Sequence, residues 1–402
     1  MRLSQLTLEN FRSYDHAQLT LEPGPNVLLG FNGVGKTNIA EAVGYLSTLS
    51  SHRVSADAPL VRHGQDQAFI RANAHRGNRE AVLEVEINPG RANRARINRG
   101  SPVRAAEILG VLRTVLFAPE DLELIKGSPS ARRKFFDTLV VQLRPALATV
   151  RQEYEKVLRQ RNALLKSIRH EGFTPTHEST LAVWDQQLAT SGARLLRARG
   201  DVIAALRPHV TEAYHQISQS VRTARMSQLS SLSGYDDDAG DSGEQDQNLE
   251  SLTTEELTEA LLRRLHEVHK QERDRALTLV GPHRDDVRFT LDDTPVKGYA
   301  SHGETWSYAL ALRIASYRAL AEDDPTEGAE PILILDDVFA ELDARRRARL
   351  ADLTGEAEQV IVTAAVDDDV PEHLLANAYR VRSVEQISSV EPHQSPPANS
   401  RS

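Results

Sequence analysis

The amino-acid sequence predicts an α/β fold interrupted by a long α-helical insertion, and three observations lead to this prediction. The motif G-x-x-x-x-G-K-T occupies residues 30–37. The apolar run 332–335 ends in the acid Asp336, which follows Lys36 by 300 residues. Between these two features, residues 128–275 carry apolar side chains at the spacing of three and four that packed helices show. The chain is therefore expected to leave and re-enter one α/β body.

The glycine-rich motif, which we call the P-loop, lies between a predicted strand and a predicted helix. Its residues are Gly30, Phe31, Asn32, Gly33, Val34, Gly35, Lys36 and Thr37. The apolar run 26–29 predicts the strand, and residues 38–49 have the apolar spacing of a helix. In this context the glycines let backbone N–H groups converge on a phosphate at the helix N-terminus. Lys36 is then expected to reach the β- and γ-phosphates of a nucleotide, and Thr37 to place its hydroxyl on Mg²⁺.

Composition narrows the class of protein. A chain of 402 residues can form two or more domains, and 40% hydrophobic with 26% charged residues is typical of a soluble protein. No apolar run reaches the ~18 residues of a membrane span, and the N-terminus lacks the pattern of a signal peptide. The absence of cysteine excludes disulfides, thiolate metal sites and cysteine nucleophiles. We therefore expect a cytoplasmic protein with no membrane partner.

Negative charge is concentrated in one segment. The net charge is −9, but residues 227–262 contain ten acids and no Lys or Arg, so the rest of the chain carries −9 + 10 = +1. This remainder can hold basic patches that bind nucleic acid. Within the segment, residues 227–254 are rich in Ser, Gly, Asp and Gln and lose all periodicity, which predicts a disordered acidic loop. A nucleic-acid mimic is the alternative interpretation.

The predicted elements divide the chain into four parts. Residues 1–127 form the N-terminal part of an ATPase-like head with an antiparallel β subdomain, and residues 128–275 form a helical arm of two antiparallel series that break near Gly172. Residues 276–384 complete the head. The tail, 385–402, is rich in Ser and Pro and is predicted to be disordered.

A predicted β-hairpin in the first part is rich in arginine. Five arginines and no acid occur in residues 91–104: Arg91, Arg94, Arg96, Arg99 and Arg104. One interpretation is a surface that contacts DNA phosphates, with Arg94, Arg96 and Arg99 as the candidates. The other is a solvated strand edge that its charges protect from pairing. The sequence favours neither.

Carboxylates after the 332–335 strand supply the second half of a nucleotide site. Asp336 is placed to hold Mg²⁺ beside the P-loop. Asp337 is expected to orient or deprotonate the attacking water, although one of the two acids could instead cap the next helix.

Upstream, residues 301–305 read Ser-His-Gly-Glu-Thr before a predicted helix. ABC-type ATPases have their signature loop in this position, and its serine binds the γ-phosphate of ATP held by the other subunit.

An ABC-type ATPase head with an inserted helical arm is thus the predicted fold. A P-loop kinase is the alternative from another class, but it explains neither the loop at Ser301 nor the arm. The ATPase subunit of an ABC transporter is a further alternative, against which the 300 residues between Lys36 and Asp336 argue.

The motifs together resemble the RecF family of bacterial DNA replication and repair proteins, which is related to the SMC and Rad50 ATPases. The resemblance rests on the following segments, in addition to the P-loop and the Ser301 loop: 8–14 (Leu-Glu-Asn-Phe-Arg-Ser-Tyr), 117–122 (Phe-Ala-Pro-Glu-Asp-Leu), 126–129, Arg132 with Arg133, 281–285 (Gly-Pro-His-Arg-Asp), and 335–343 (Leu-Asp-Asp-Val-Phe-Ala-Glu-Leu-Asp). It covers the whole chain apart from the acidic segment and the tail.

This resemblance makes an ATP-gated DNA-binding repair factor the favoured function. It implies an ATP-driven homodimer that clamps single-stranded or gapped DNA and helps RecO- and RecR-type mediators load recombinase, supporting SOS induction. ATP and Mg²⁺ are the implied cofactors, and a weak DNA-stimulated ATPase is the implied activity. Ser301 and Gly303 would act as the signature in trans, and Asp343 would belong to a loop at the dimer interface. Thr363 stands where transporters have a switch histidine.

Two positions depart from the family pattern. The signature carries Glu304 where many relatives have glutamine, and Asp337 replaces the usual catalytic glutamate. The shorter side chain of Asp337 fits a slow ATPase.

Overall fold

The computed structural model describes residues 1–218, 220–235 and 249–393, which form two compact units. The first comprises Met1–Asp121 with the described part of Ser316–Ser402, and the second comprises the described part of Leu122–Ala315.

Helices and strands are numbered in chain order. The strands are β1 (Arg2–Phe11), β2 (Tyr14–Thr20), β3 (Gly24–Leu29), β4 (Ala68–Arg76), β5 (Arg79–Ile87), β6 (Arg94–Ile97), β7 (Val103–Arg104), β8 (Thr114–Phe117), β9 (Ala224–Leu229), β10 (Asp286–Leu291), β11 (Thr294–Pro295), β12 (Ile332–Asp336), β13 (Gln359–Ala364), β14 (Ala378–Val384) and β15 (Ile387–Pro392). The helices are α1 (Lys36–Thr48), α2 (Leu122–Lys126), α3 (Pro129–Leu143), α4 (Leu147–Glu171), α5 (Pro175–Ser218), α6 (Thr254–Arg275), α7 (His302–Asp323) and α8 (Ala344–Thr354). Among the described residues, no helix is long and apolar enough to cross a membrane.

Two sheets build the first unit. One is antiparallel, in the order β2-β1-β4-β5-β6-β7, and the other has the order β15-β14-β3-β13-β12-β8. In the second sheet the strands from β14 to β8 are parallel and β15 is antiparallel at the edge. α1 packs Ile39, Val43 and Leu46, all fully buried, into the core of this unit. The predicted mixed sheet with an antiparallel β subdomain is confirmed.

The second unit is mainly helical. Tyr154, Leu188 and Leu265 are buried on α4, α5 and α6 and belong to one hydrophobic cluster, so the apolar stripes seen in the sequence form one core. A three-stranded antiparallel sheet, β11-β10-β9, belongs to the same unit. α5 has 44 residues, which corresponds to ~66 Å at 1.5 Å per residue.

The first helical series is divided where the sequence predicted a continuous pattern. α3 ends at Leu143 and α4 begins at Leu147. Pro145 explains the break, because a proline disfavours helical geometry in the residue before it; Arg144 has φ −134° and ψ 76°. The second series, by contrast, continues through Pro208 inside α5.

The predicted disordered loop at 227–254 is wrong at both ends. Its start lies in β9, which pairs antiparallel with β10, and its last residue begins α6. A strand whose partner lies about 60 residues downstream gives little local signal, because cross-strand pairing decides its stability. The central part of the prediction, 236–248, lies outside the described residues.

The predicted disordered tail at 385–402 is wrong for 387–392, which form β15 on the edge of the second sheet. Glu385 and Gln386 connect it to β14 with φ of 50° and 66°. Such turns normally use Asn or Gly, so this hairpin lacks the usual sequence signal. Residues 394–402 lie outside the described residues.

The division into units also differs from the predicted boundary at residue 275. Residues 276–315 belong to the helical unit. Pairing of β10 with β9 holds them there, as does a buried ion pair in which Arg132 Nε donates to Asp286 Oδ1 at 2.7 Å.

The Gly-Pro-His-Arg-Asp segment lies in this unit as a buried polar cluster. Tyr154 lies 2.6 Å from His283 Nδ1, and His283 Nε2 lies 3.2 Å from the Thr278 carbonyl. Because a carbonyl only accepts, Nε2 carries the proton and Nδ1 accepts from the tyrosine. Burial lowers the pKa of His283 to about 3, so the ring is neutral. A Cβ on Gly281, which has φ +129°, would lie 2.5 Å from the Tyr154 hydroxyl.

Candidate nucleotide-binding site

The P-loop connects the centre of the second sheet to α1. β3 ends at Leu29 and the helix begins at Lys36, with Gly35 as its N-cap residue at φ 110°. This is the strand–loop–helix context that the motif predicts. The Lys36 side chain is 3% exposed, and its Nζ donates to the carbonyls of Gly30 at 2.8 Å and Phe31 at 3.3 Å. The ammonium group is thus held against the loop itself.

The structure brings Asp336 to the beginning of α1. Thr37 Oγ1 donates to Asp336 Oδ1 at 3.0 Å, across 299 residues of sequence. This meeting follows from the sheet order, because β12 lies beside β13 and β13 beside β3, all parallel. The carboxyl ends of parallel strands share one edge, where α/β proteins bind ligands.

Burial changes the acidity of Asp336. The pKa of its carboxyl is raised overall to about 6. Loss of hydration is the main cause and the neighbouring Asp337 adds to it, while hydrogen bonds from Thr363 and Thr37 act in the opposite direction. A carboxylate that is costly to ionise in the free protein is stabilised by a cation.

The second acid, Asp337, has an unusual backbone. Its φ is 49°, and its N–H donates to Thr363 Oγ1 at 2.9 Å. Its carboxylate lies 3.9 Å from Lys36 Nζ and remains 35% exposed. Although Asp337 precedes a 3₁₀ helix at Val338–Glu341, its side chain makes no capping hydrogen bond. The carboxylate therefore faces the lysine of the P-loop.

The oxygens around Thr37 fit a magnesium ion. A hydroxyl and a carboxylate are hard donors, and Mg²⁺ in nucleotide sites is held by one or two such groups together with phosphates and water. In the described part of the chain, no group of three or more His, Asp or Glu side chains could hold a metal by itself. Thr37 and Asp336 are the residues that would hold Mg²⁺ together with a nucleotide.

A buried ion cluster beside the P-loop was missed by sequence reasoning. Glu41 of α1 is 1% exposed and accepts from Arg12 Nε at 2.8 Å and Nη2 at 2.6 Å. Burial would raise the pKa of Glu41, but hydrogen bonds from Arg12 and Ser51 lower it overall. Arg53 Nη1 lies 3.7 Å from the same carboxylate and donates to Asn38. The sequence signal was the cation in the 8–14 segment; Glu41 itself has the pattern of an ordinary polar helix position.

Ser301 lies in the second unit, immediately before α7. It forms a capping box with Glu304: the serine N–H and hydroxyl each donate to Glu304 Oε2 at 2.9 Å, and the Glu304 N–H donates back to Ser301 Oγ at 3.2 Å. Arg222 Nη1 also donates to Glu304 at 3.0 Å. These contacts, Ser301 N–H first, lower the pKa of Glu304. Gly303 lies in the first turn of the helix, beside the capped N-terminus.

Asp343 belongs to the first unit, where it is the N-cap of α8. Its Oδ1 accepts from the Arg346 N–H at 2.9 Å, and its other oxygen pairs with the Arg346 guanidinium. The residue is exposed.

The arginine-rich hairpin consists of β5, β6 and β7. Arg96 lies 3.4 Å from Glu84, which also accepts from Arg71 at 2.8 Å. Arg94 stands opposite Glu86 on one side and Arg104 on the other. Arg99, with φ 58°, lies in the turn after β6. Arg94, Arg96 and Arg99 are all exposed, but Arg96 is partly neutralised.

Comparisons with known proteins identify the family of this chain. The family described as the RecF/RecN/SMC N terminal domain matches residues 2–389. A protein named "DNA replication and repair protein RecF" from Arthrobacter sp. (strain FB24) is 53% identical over 390 residues, covering 95% of this chain and 97% of the relative. One of the same name from Streptomyces avermitilis is 52% identical over 384 residues, covering 95% and 98%.

Solved structures show the same fold. The structure titled "recombination mediator protein RecF-ATPrS in RecFOR pathway" superimposes with a TM-score of 0.83 at 27% identity, covering 98% of both chains. The Smc head domain from Pyrococcus furiosus, bound to part of ScpA, gives a TM-score of 0.52 at 17% identity, with 98% and 96% covered. This second likeness concerns the fold alone.

The fold and the P-loop site define an ABC-type ATPase head that carries an inserted helical unit. Near full-length identity of 53% and 52% with the Arthrobacter and Streptomyces proteins is decisive for the family. The chain belongs to the RecF family.

Proposed function

We propose that this chain is an ATP-dependent DNA-binding protein of recombinational repair and replication restart. The observation that carries the proposal is the meeting of Thr37, Asp336 and the buried Lys36 at one end of the parallel sheet in a RecF-family chain. The solved relative at 27% identity is titled as an ATPrS form of a recombination mediator in the RecFOR pathway. We transfer that ligand class and pathway to this chain.

In the proposed site the P-loop N–H groups and Lys36 bind the phosphates of ATP. Thr37 and Asp336 would hold Mg²⁺, which would supply positive charge against the phosphates. Asp337 faces Lys36 at 3.9 Å, from where it orients or deprotonates the attacking water. Its single methylene and its ion pair with the lysine fit slow hydrolysis.

The proposed active form is an ATP-dependent homodimer. Ser301 and the N-terminus of α7, including Gly303, bind the γ-phosphate held by the other copy, as expected of an anion at a helix N-terminus. Asp343, exposed at the cap of α8, belongs to the dimer interface. A nucleotide is then bound between residues of two chains, so ATP promotes association.

The closed dimer is proposed to hold single-stranded or gapped DNA and to act with RecO- and RecR-type mediators in loading recombinase, thereby supporting SOS induction. ATP hydrolysis is weak and stimulated by DNA. These activities belong to the cytoplasm. Exposed arginines of β6 and its turn supply sequence-independent phosphate contacts.

The test separates binding from turnover at the nucleotide site. Lys36→Met removes the ammonium group from the phosphates and should weaken ATP binding by roughly 1.5–3 kcal/mol, the usual contribution of a charged hydrogen bond. Asp337→Asn keeps the binding groups and should slow turnover, so that ATP-bound dimers accumulate. Fluorescent-nucleotide titration and light scattering measure the two effects. Lys166→Met, on the exposed face of α4, is the control. Equal loss of ATP affinity in the Lys36 and Asp337 variants would contradict the separate roles.

A further inference from the structure

Two carbonyl groups of the P-loop are held by side chains from distant parts of the first unit. Ser388 Oγ of β15 donates to the Val34 carbonyl at 2.6 Å, across 354 residues. The Tyr14 hydroxyl donates to the Gly35 carbonyl at 3.1 Å. Ser388 is 2% exposed, so water does not compete for its bond to the loop. The loop is therefore held by β15 and by the first residue of β2.

Ser13 extends these contacts into a small hydrogen-bond network. The Ser388 hydroxyl also donates to Ser13 Oγ at 2.6 Å, so its single proton is shared between Ser13 and the Val34 carbonyl. Asn38 Nδ2 donates to the same Ser13 Oγ at 2.8 Å. Ser13 thus accepts from both α1 and β15.

The outer contacts of this network are also fixed. Arg53 Nη1 donates to Asn38 Oδ1 at 2.9 Å, which sets the orientation of the Asn38 amide. The backbone N–H of Ser388 donates to the Ser13 carbonyl at 2.9 Å, which attaches β15 to the turn that holds Ser13. Asn38, Ser13 and Ser388 therefore form one connected network that reaches the P-loop at Val34.

The direction of the Val34 carbonyl determines the direction of the next N–H group. A trans peptide is planar, and its C=O and N–H point to opposite sides. Holding the Val34 carbonyl toward Ser388 turns the Gly35 N–H away from β15. Holding the Gly35 carbonyl toward Tyr14 likewise turns the Lys36 N–H away from Tyr14. Ser388 also lies close to Gly35, since a Cβ on that glycine would lie 2.6 Å from Ser388 Oγ.

We propose that Ser13 and Ser388 are positioning residues for ATP binding, acting through the Val34–Gly35 peptide of the P-loop. The C-terminal hairpin of β14 and β15 is thereby part of the nucleotide site. This inference rests on the proposed binding of ATP at the P-loop. It adds that affinity depends on a hydrogen-bond network that joins α1, the β1–β2 turn and β15.

The experiment compares Ser388→Ala, Ser13→Ala, the double variant and Ser389→Ala in the full chain. Ser389 is the neighbouring serine on β15 and is exposed, so its variant is a matched control. The probe is ATP with Mg²⁺, and dissociation constants come from fluorescent-nucleotide competition. Hydrogen–deuterium exchange of the peptide that contains the P-loop reports its ordering without nucleotide. Thermal unfolding without nucleotide shows whether the fold is intact.

Each single substitution at Ser13 or Ser388 should weaken ATP binding about tenfold, because a buried partner loses its hydrogen bond. P-loop exchange should rise, while the unfolding temperature and the Ser389→Ala variant stay near wild type. The double variant should bind ATP about as tightly as the single variant with the lower affinity, because both residues act in one network. Wild-type affinity in Ser388→Ala, or a double effect equal to the product of the singles, would overturn the inference. Failure of the unmodified chain to bind ATP would instead overturn the proposed function, and the inference with it.

Discussion

At the scale of single residues, Thr363 connects the two acids of the site. It is fully buried. Its hydroxyl donates to Asp336 Oδ1 at 2.7 Å and accepts from the Asp337 N–H at 2.9 Å. The donation lowers the pKa of Asp336 against the effect of burial, and the acceptance stabilises the left-handed backbone of Asp337. One hydroxyl thus sets both the charge of the proposed metal ligand and the direction of its neighbour.

Replacing Thr363 with Val is therefore expected to impair the proposed magnesium site. Asp336 loses a donor that favours its ionised form, and the Asp337 N–H loses its acceptor. The magnesium concentration that half-saturates ATP binding should rise roughly 10- to 100-fold, as for other partners of metal ligands. A magnesium titration at constant ATP measures it. Thr363→Ser keeps the hydroxyl and is the control, so equal shifts in the two variants would contradict this role.

Sequence alone could predict the residues of this site that belong to a motif. Lys36, Thr37 and Asp336 were predicted by spacing and strand context, and the structure brings them together. Ser13, Ser388 and Glu41 were not predicted as site residues, because a serine in a turn or a strand, or a glutamate in a helix, has no local signal that marks it as part of a site. Ser13 and Ser388 lie 375 residues apart in the sequence, and Glu41 lies 29 residues from Arg12. Such contacts depend on tertiary structure.

At the scale of elements, a buried ion cluster joins three helices of the second unit. Arg161 of α4 is 0% exposed and donates to Asp185 of α5 at 2.7 Å and to Glu272 of α6 at 2.6 Å. Burial alone would lower the pKa of Arg161, but the two carboxylates, Glu272 first, raise it overall. The guanidinium group also donates to Thr278 at 2.9 Å. The helices are thus connected by charge as well as by their leucines.

Removing this arginine should be strongly destabilising. Arg161→Ala leaves two buried carboxylates without their cation, which typically costs about 3–5 kcal/mol. Urea titration followed by circular dichroism measures the change. Arg263→Ala is the matched control, because Arg263 is 71% exposed and lies 4.0 Å from Glu259; its effect should stay within about 0.5 kcal/mol. Similar urea midpoints for the two variants would mean that water reaches the Arg161 cluster.

The arginine hairpin supports a prediction about DNA. Replacing Arg94, Arg96 and Arg99 together with Gln should lower affinity for every sequence, and the salt slope of binding should fall by roughly 0.7–0.9 for each DNA phosphate that the variant no longer neutralises. Of the single variants, Arg94→Gln should have a larger effect than Arg96→Gln, since Glu84 already neutralises Arg96 in part. Fluorescence anisotropy at several salt concentrations measures both effects.

The control for the hairpin changes charge by the same amount elsewhere. Arg159, Arg169 and Arg263 are exposed on helices of the second unit, and their replacement with Gln should leave the slope unchanged. An unchanged slope in the hairpin variant would indicate that its arginines only protect a strand edge.

Helices and strands were predictable to the extent that their signals are local. The strands around the P-loop and Asp336 were predicted from apolar runs, and the helices from apolar spacing. β9 and β15 were not, because each is stabilised by a partner strand rather than by its own composition. The division between α3 and α4 had a visible signal in Pro145, which the apolar spacing on either side concealed.

At the scale of the whole molecule, the proposed function needs two copies of the chain. The P-loop and its acids belong to the first unit, and Ser301 caps α7 in the second. In the proposed dimer, each ATP is bound by the P-loop of one copy and the Ser301 loop of the other. Each site therefore depends on the P-loop of one copy and on the Ser301 loop of the other. Mixing a P-loop variant with a Ser301 variant can test this arrangement.

Ser301→Arg should leave ATP binding by the monomer near normal, because the P-loop is unchanged, while placing bulk and charge in the proposed interface. ATP-dependent dimerisation, measured by light scattering, and hydrolysis should then fail together. The substitution also removes a helix cap, which costs about 1 kcal/mol. Thr253→Arg is the matched control, since Thr253 caps α6 through the same capping box and its loss should leave dimerisation intact.

Mixing Ser301→Arg with Lys36→Met tests the exchange of residues between copies. A mixed dimer has one site with both defects and one site with an intact P-loop and an intact Ser301. Two inactive proteins should therefore recover part of the ATPase activity on mixing, up to about half per mixed dimer if one intact site is enough for turnover. Mixing Lys36→Met with Thr253→Arg controls for dilution and partner exchange. Ser301→Arg protein that still dimerises with ATP at wild-type strength would contradict the placement of Ser301 across the interface.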